Sequence, residues 1–306
     1  MAINRETITT WLKNLQDEIC AGLEQADGQS KFQEDLWQRE EGGGGRTRII
    51  QNGAVIEKCG VLFSAVEGDA PDFLFREKEH SAPATEKKTR PKFFASGVSI
   101  VIHPASPMVP IIHMNIRYFE MDGGIRWLGG GIDLTPHYIV AEDAQFFHGA
   151  LKKTCDAHHP DYYEKFKTWA DDYFYITHRK ETRGIGGIFF DRLVSEGDMS
   201  FEKNLEFWKA VGETFLPVYT ELIRRNKNKT FTERHKQWQL LRRGRYVEFN
   251  LVYDKGTRFG LETNGRVESI LMSLPKLASW EYDFKTEPGS EEEKTLNLLK
   301  KGIHWA

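Results

Sequence analysis

Cysteine is scarce in this sequence. The three present, Cys20, Cys59 and Cys155, stand far apart and form no CxxC pair. That spacing excludes a zinc knuckle and a dithiol redox motif, and an odd number of reduced thiols fits a cytosolic compartment. No apolar run approaches the length of a membrane span. The opening stretch "MAINRETITTWLKNLQDEI" is amphipathic from its start, lacks an apolar signal core and is too acidic for a transit peptide, so the expectation is a soluble, cytoplasmic protein. Neither sign of charge dominates: the 306 residues carry a formal net charge of −3. This argues against a general nucleic-acid binder while leaving room for local basic clusters. The zinc-protease signature HExxH is absent. Internal repeats and separating linkers are absent too, and residues 1–306 read as one domain.

What is present in quantity is aromatic: eight Trp, ten Tyr and twenty Phe. Such a supply suits a large core and suits a flat organic ligand equally. Ile8, Trp11, Leu12, Leu15, Ile19 and Leu23 recur at helical spacing and predict an opening amphipathic helix. Residues 53–66 read as one or two strands, and the polar stretch 67–92 as a long exposed excursion. "SGVSIVIHP" and "IIHMNIRYFE" alternate with period two, as half-buried strands do, around a proline-stiffened "PASPMVP". Helices are expected over about 141–157, 160–180, 200–226 and 231–242, with a short glycine-rich strand "GIGGIFFD" between the second and third. The run "RYVEFNLVYDKGTRFGLETNGRVESILMSLP" returns to strand patterning, broken into a hairpin or meander by Asp254-Lys255-Gly256 and Asn264-Gly265. Strands and helices in blocks with hairpin-like connections indicate an α+β fold: a large, mostly antiparallel sheet flanked by helices.

Two glycine clusters invite a phosphate-loop reading. "WLGGGIDLTPHY" has no lysine, places Asp133 where it would repel a phosphate, and carries Pro136 where a helix would have to start. It is not a P-loop, and its glycines serve either a close backbone approach to a large flat ligand or a tight bend. "WQREEGGGGRTRII" is either a solvated linker or a flap gripping an anion through Arg46 and Arg48.

Strand parity sharpens the picture. Ser99, Val101 and His103 share one face of their strand. His113, Asn115, Arg117 and Phe119 share one face of the next, with Ile112, Met114, Ile116 and Tyr118 behind. An even register would set His103 opposite His113 and Ser99 opposite Arg117. The resulting Ser, His, Asn and Arg set can donate hydrogen bonds, orient a carboxylate and titrate near neutrality. His103, His113, His148, His158, His159 and His178 are structural histidines or, for some of them, metal ligands. Arg46, Arg48, Arg117, Arg179, Arg183, Arg242, Arg243, Arg245 and Arg266 are separate ion-pair patches or, taken together, the receptor for a polyanionic small molecule.

Four blocks then carry a resemblance: "GVSIVIHPASPMVPIIHMNIRYF", "WLGGGIDLTPHY", "DDYFYITHRKETRGIGGIFFD" and "RRGRYVEFNLVYDKGTRFGL". With "FQEDLWQREEGGGGRTRIIQNG" and "SILMSLPKLASWEYDF", the chain resembles the oxygen-dependent coproporphyrinogen III oxidases of haem biosynthesis. The resemblance implies oxidative decarboxylation of two of four propionates of coproporphyrinogen III to vinyls, giving protoporphyrinogen IX with dioxygen as oxidant and no required cofactor. It implies a flat antiparallel sheet and a homodimer joined through the C-terminal strand region, roughly residues 246–281. Ser99, Asn115, Ile116, Arg117, Asn264, Gly265 and Arg266 match substrate-contacting positions. His113 matches a proton donor, and Asp133 and Asp254 match carboxylates acting on the pyrrole centre, with Arg117 orienting the reacting propionate. His103, His113, His148 and His178 match histidines assigned to a divalent metal in some members. The sequence departs from the pattern at Leu128, Ala170, Lys255 and Asn264. Lysine cannot pair a carboxylate as the usual arginine would at 255. A metal-dependent oxygenase and a non-catalytic tetrapyrrole carrier are the alternatives.

Overall fold

The structure is a computed structural model that describes residues 3–70, 90–262 and 265–306. It opens with helix α1 (Arg5–Asp27). The Asn4 side chain accepts from the Thr7 N–H at 2.9 Å while the Thr7 hydroxyl accepts from the Asn4 N–H at 3.1 Å, a reciprocal cap. Gly28, at φ 78°, ends the helix in the left-handed conformation that glycine adopts without strain. Ile8, Leu12, Leu15, Ile19 and Leu23 form its buried stripe, as the spacing predicts.

Six strands follow in sequence: β1 (Gln33–Gln38), β2 (Gly43–Gln51), β3 (Ile56–Asp69), β4 (Lys92–Pro104), β5 (Ile111–Met121) and β6 (Ile125–Thr135). Helices α2 (Ala141–Asp156) and α3 (Tyr162–Tyr173) lead to the short pair β7 (Tyr175–Ile176) and β8 (Glu181–Thr182), then β9 (Gly187–Leu193). The large sheet has the order β1-β2-β3-β4-β5-β6-β9 and is antiparallel throughout, the α+β architecture expected. Helices α4 (Phe201–Asn226), α5 (Glu233–Val252), α6 (Lys255–Glu262), α7 (Val267–Leu271) and α8 (Glu291–Leu298) complete the described elements. No helix among the described residues is long and apolar enough to cross a membrane.

The sheet separates two chemistries. On one face Val98, Ile100, Ile102, Ile112, Met114, Ile116 and Tyr118 pack with α1 and α4 into the main core. Burial of this much aliphatic surface, at about 25 cal/mol per Å², is the principal stabilising contribution. The opposite face carries the odd-numbered residues of β4, β5 and β6 and is covered in part by α5 and the segment after it, where Val101, Ile111 and Tyr246 form a small second core.

Three expectations are corrected. The β4–β5 register sets Ser99 opposite Asn115, Val101 opposite His113 and Gly97 opposite Arg117. It is displaced by two residues from the pairing read in the sequence, so each side chain keeps its face while its neighbour changes. Three glycines of the four-glycine stretch, Gly43 to Gly45, belong to strand β2 and Gly42 to the bend that leads into it, so the stretch is neither linker nor flap. Arg46 and Arg48 both meet Asp17 of α1, and Arg48 also meets Glu34 of β1. Among the described residues, 246–281 contain no strand. The apolar spacing in "RYVEFNLVY" also fits a helix, and the buried set Arg242, Arg243, Tyr246, Phe249 and Asn250 repeats at three- and four-residue intervals along α5. Asp254 accepts from the Thr257 N–H at 2.7 Å and so starts α6, where a hairpin turn was expected. Asn264 and the excursion over 71–89 lie outside the described residues.

Candidate active site

Strand β5 supplies the spine of the polar face. His113, Asn115 and Arg117 stand on it, opposite Asp133, Gly131 and Gly129 of β6. Ser99 and Gly97 flank them from β4, and Phe189 of β9 stands opposite Gly131.

The residues at one end form a chain of three. His113 Nδ1 lies 2.7 Å from Asp133 Oδ1, and Arg183 Nη2 donates to Asp133 Oδ2 at 2.5 Å. Asp133 and Arg183 are both buried, whereas His113 is partly open. Burial opposes ionisation of Asp133, but Arg183 and His113 outweigh it and hold the carboxyl below its ordinary value. A carboxylate can only accept, so Nδ1 of His113 carries the proton, and Nε2 is left without a hydrogen-bond partner among the described residues. Arg183 is held in turn by Asn250 Oδ1 at 3.0 Å. Its guanidinium also lies 4.4, 4.5 and 4.7 Å from the ring centres of Phe174, Tyr246 and Phe249. Burial pulls Arg183 toward deprotonation, and the charge and hydrogen bond of Asp133, with smaller help from Tyr246 and Asp254, together more than reverse it. The arrangement fixes one tautomer of His113 and can stabilise its imidazolium.

Four residues along β5 from His113, Arg117 donates from Nη1 to Asn115 Oδ1 at 2.9 Å and from Nη2 to Asp191 Oδ1 at 2.8 Å. The glycines now have their reason. A Cβ at Gly129 would lie 2.7 Å from Asp191 Oδ1 and 2.9 Å from Arg117 Nε, so only bare backbone lets this pair lie against the sheet. Across the same face, beyond β4, Arg266 is paired with Asp35 and its guanidinium lies 6.0 Å from the ring centre of Trp37. Successive register pairs Asp35–Thr47, Thr47–Leu62, Leu62–Ser99 and Ser99–Asn115 place Asp35 on the face that carries Asn115. The neighbouring row Gly97, Ser64 and Gly45 leads from Arg117 to Trp37, so the face presents two arginines with a floor of small residues between them.

The other expected site residues fall as follows. Ile116 is buried in the core behind the sheet, because strand parity turns its side chain away from its neighbours Asn115 and Arg117. Asp254 stands at the rim, but Tyr173 OH donates to one of its oxygens at 2.9 Å and the Thr257 N–H occupies the other. Gly265 donates its N–H to Gly260 O at 2.8 Å. The four histidines do not form one ligand set. His103 binds Ser273 O through Nε2, and its burial pushes its pKa down to about 3. His148 uses both nitrogens, on Tyr163 OH and Ile185 O. His178 uses both on Tyr253 OH and Glu248, and His113 is committed to Asp133. Among the described residues no group of three or more His, Cys, Asp or Glu could hold a metal ion, and no step below runs through one.

The arginines are not free cations awaiting a polyanion. Arg179 and Arg245 share Glu248, Arg242 meets Glu181 and Arg243 meets Glu57. Only Arg117 and Arg266 combine a place on the polar face with a partly exposed partner.

Sequence reasoning missed one residue and one pairing. Asp191 was legible by parity, since Gly187, Phe189 and Asp191 alternate with Ile188 and Phe190 in "GIGGIFFD". The pairing of Arg183 with Asp133 spans 50 residues and had no local signal.

A sheet with one apolar and one cationic face, and an oriented His–Asp–Arg chain opening beside the cations, defines an enzyme for a flat polycarboxylate. The family model for coproporphyrinogen III oxidase matches residues 7–305, and the chain belongs to that family. It is 49% identical to the oxygen-dependent coproporphyrinogen-III oxidase, chloroplastic, of Glycine max, over 96% of this chain and 77% of the relative. It is 48% identical to coproporphyrinogen-III oxidase 1, chloroplastic, of Arabidopsis thaliana, over 98% and 79%. It is 44% identical to the oxygen-dependent coproporphyrinogen-III oxidase of Prochlorococcus marinus, over 99% and 92%.

Proposed function

We infer that this chain is an oxygen-dependent coproporphyrinogen III oxidase. It converts two propionates of its substrate to vinyls and yields protoporphyrinogen IX for haem biosynthesis. The observation that carries the reading is the free Nε2 of His113, held in one tautomer by Asp133 and Arg183, beside Arg117 on a glycine-floored face.

The chemistry sets the demands on these residues. Each propionate loses carbon dioxide, one C–H proton and two electrons. Dioxygen takes the two electrons and two protons to become hydrogen peroxide, so each turn consumes one net proton. A porphyrinogen is electron-rich and reacts with dioxygen directly, which leaves positioning and proton control to the protein. Arg117, steadied by Asn115 and flanked by Ser99, orients the reacting propionate, and Arg266 holds a second carboxylate across the face. His113 delivers the proton from Nε2. Asp133, buried and engaged through one oxygen with His113 and through the other with Arg183, acts by orienting His113 and stabilising its charged form. Asp254 supports the rim through Tyr173, whose ring stacks on Phe189 at 4.2 Å.

Residues 1–306 act as one unit in this reading, supported by a core that runs from Ile8 to Ile223. A cytoplasmic location is part of the proposal, although the two plant relatives carry the label chloroplastic. So is a homodimer joined through residues 246–281, where Leu251, Val252, Leu261 and Val267 expose apolar side chains on helices; a solution mass of two chains is expected by light scattering.

The decisive experiment incubates chelator-treated protein with coproporphyrinogen III, with and without dioxygen, and separates the products by carboxylate number. Oxygen-dependent appearance of the two-carboxylate product is expected. Stoichiometric binding without turnover, even after metals are restored, would leave a carrier.

A further inference from the structure

The reaction inferred above destroys the charge that Arg117 would hold. A propionate arrives as an anion, and the vinyl that replaces it carries none. Once that happens, the guanidinium lies beneath a bound hydrocarbon without a counter-charge, which is costly. The same tetrapyrrole must nevertheless stay on the protein while a second propionate reacts.

We propose that Asp191 is the stand-in counter-ion of Arg117: it yields the guanidinium to a substrate carboxylate and reclaims it whenever the side chain above is uncharged. This rests on the reading that Arg117 orients the reacting propionate. Three observations support it. First, the Arg117 and Asp191 side chains are 36% and 34% exposed, against 3% for both members of the Arg183–Asp133 pair. An ion pair this open is weak and displaceable, whereas the buried one is permanent. Second, the contact is single-pointed, Nη2 to Oδ1, and Asp191 Oδ2 has no hydrogen-bond partner among the described residues. A substrate carboxylate can therefore offer Arg117 a better, two-pronged contact. Third, Asn115 holds Nη1 independently, and the bare backbone of Gly129 lies beneath both members, so the guanidinium stays aimed when Asp191 swings away.

Asp191 then levels the affinity of this position for charged and uncharged side chains. It makes the four-carboxylate substrate bind less tightly than it otherwise would, and it keeps the three-carboxylate intermediate from being expelled by an unpaired arginine. It is a specificity-determining residue and takes no part in bond making.

The test is steady-state assay of the whole protein carrying Asp191→Asn, with the released porphyrinogens counted by carboxylate number. KM for coproporphyrinogen III is expected to fall about threefold to fivefold, the scale of a partly exposed ion pair. The fraction released as three-carboxylate intermediate is expected to rise. General damage to the site would raise KM, so the two effects together are distinctive, and Asp191→Glu should restore wild-type behaviour in both. An unchanged or raised KM, or an unchanged or lower intermediate fraction, overturns the proposal. If Arg117→Gln leaves KM at its wild-type value, the reading of Arg117 fails instead. If the wild-type protein forms no two-carboxylate product, the enzymatic reading itself fails.

Discussion

Asp133→Asn is expected to lower kcat/KM by roughly 10³- to 10⁴-fold, the scale seen when a buried His–Asp pair is forced into the wrong tautomer. The substitution keeps shape and removes one charge. Its amide offers one acceptor and one donor to two neighbours that both need an acceptor, His113 Nδ1 and Arg183 Nη2. If the carbonyl faces Arg183, the amide N–H faces His113, whose Nδ1 must then accept and whose proton moves to Nε2. If the carbonyl faces His113, two donors collide at Arg183. In the first outcome Nδ1 faces a donor and cannot carry a proton as well, so the imidazolium that delivers from Nε2 does not form; the second unseats a buried guanidinium. Arg183 also loses the charge that balances it in a fully buried setting, a loss of about 3–5 kcal/mol of stability. Denaturant unfolding and single-turnover kinetics separate the two effects. The double variant Asp133→Asn with Arg183→Gln should regain stability, because no charge is left stranded, while remaining slow. A single Asp133→Asn variant within tenfold of wild-type turnover would show that His113 needs no orienting carboxylate.

The polar face was legible in the sequence because strand parity is a local property. Alternation alone assigned His113, Asn115 and Arg117 to one side and Met114, Ile116 and Tyr118 to the other, whatever partners the strand has. Register is not local. It depends on how residues 105–110 turn the chain, and there the Ser106 side chain accepts from the Met108 N–H while Val109 donates back to Ser106 O. A shift of two residues preserved every face and moved every neighbour. The segment after Arg242 failed for a different reason. Its Tyr, Val and Phe favour strands intrinsically, but burial against Val101 and Ile111 selects the helical period, and tertiary packing overrides a propensity of this size. The arginines illustrate a third limit. The sequence offered arginines that could gather at one site, but only coordinates showed that each of those named already has a carboxylate and that Arg117 and Arg266 are the two on the polar face with partly exposed partners.

Acid lability is the second large effect expected, and it follows from where the histidines are. His103, His137 and His148 are buried. Burial pushes the pKa of His103 down to about 3 and that of His148 to about 4, and pushes His137 well below the ordinary value. Their environments contain little to reverse this. The His103 and His137 rings each bond a backbone carbonyl, Ser273 O and Pro107 O, and the positive charge of Arg243 opposes protonation of both. All three pKa values are lower folded than the ~6.5 of the unfolded chain, so the unfolded state binds more protons between that value and the folded pKa. Stability must therefore fall as pH drops below about 6.5, by up to about 1.4 kcal/mol per pH unit for each histidine once the unfolded rings are protonated. Three together remove about 4 kcal/mol per unit, enough to exhaust a typical stability of 5–15 kcal/mol within a few pH units. Asp133 has a dependence of the same sign, set at lower pH. Its depressed pKa stabilises the fold above the unfolded value near 3.9, and that contribution is lost only as pH falls through the folded pKa. The histidines therefore govern the range from 6.5 to 4, and Asp133 adds to the loss below it. Urea unfolding measured from pH 7 to 4.5 should show a slope approaching three protons per chain, and a slope below one would mean that these rings are protonated within the folded protein.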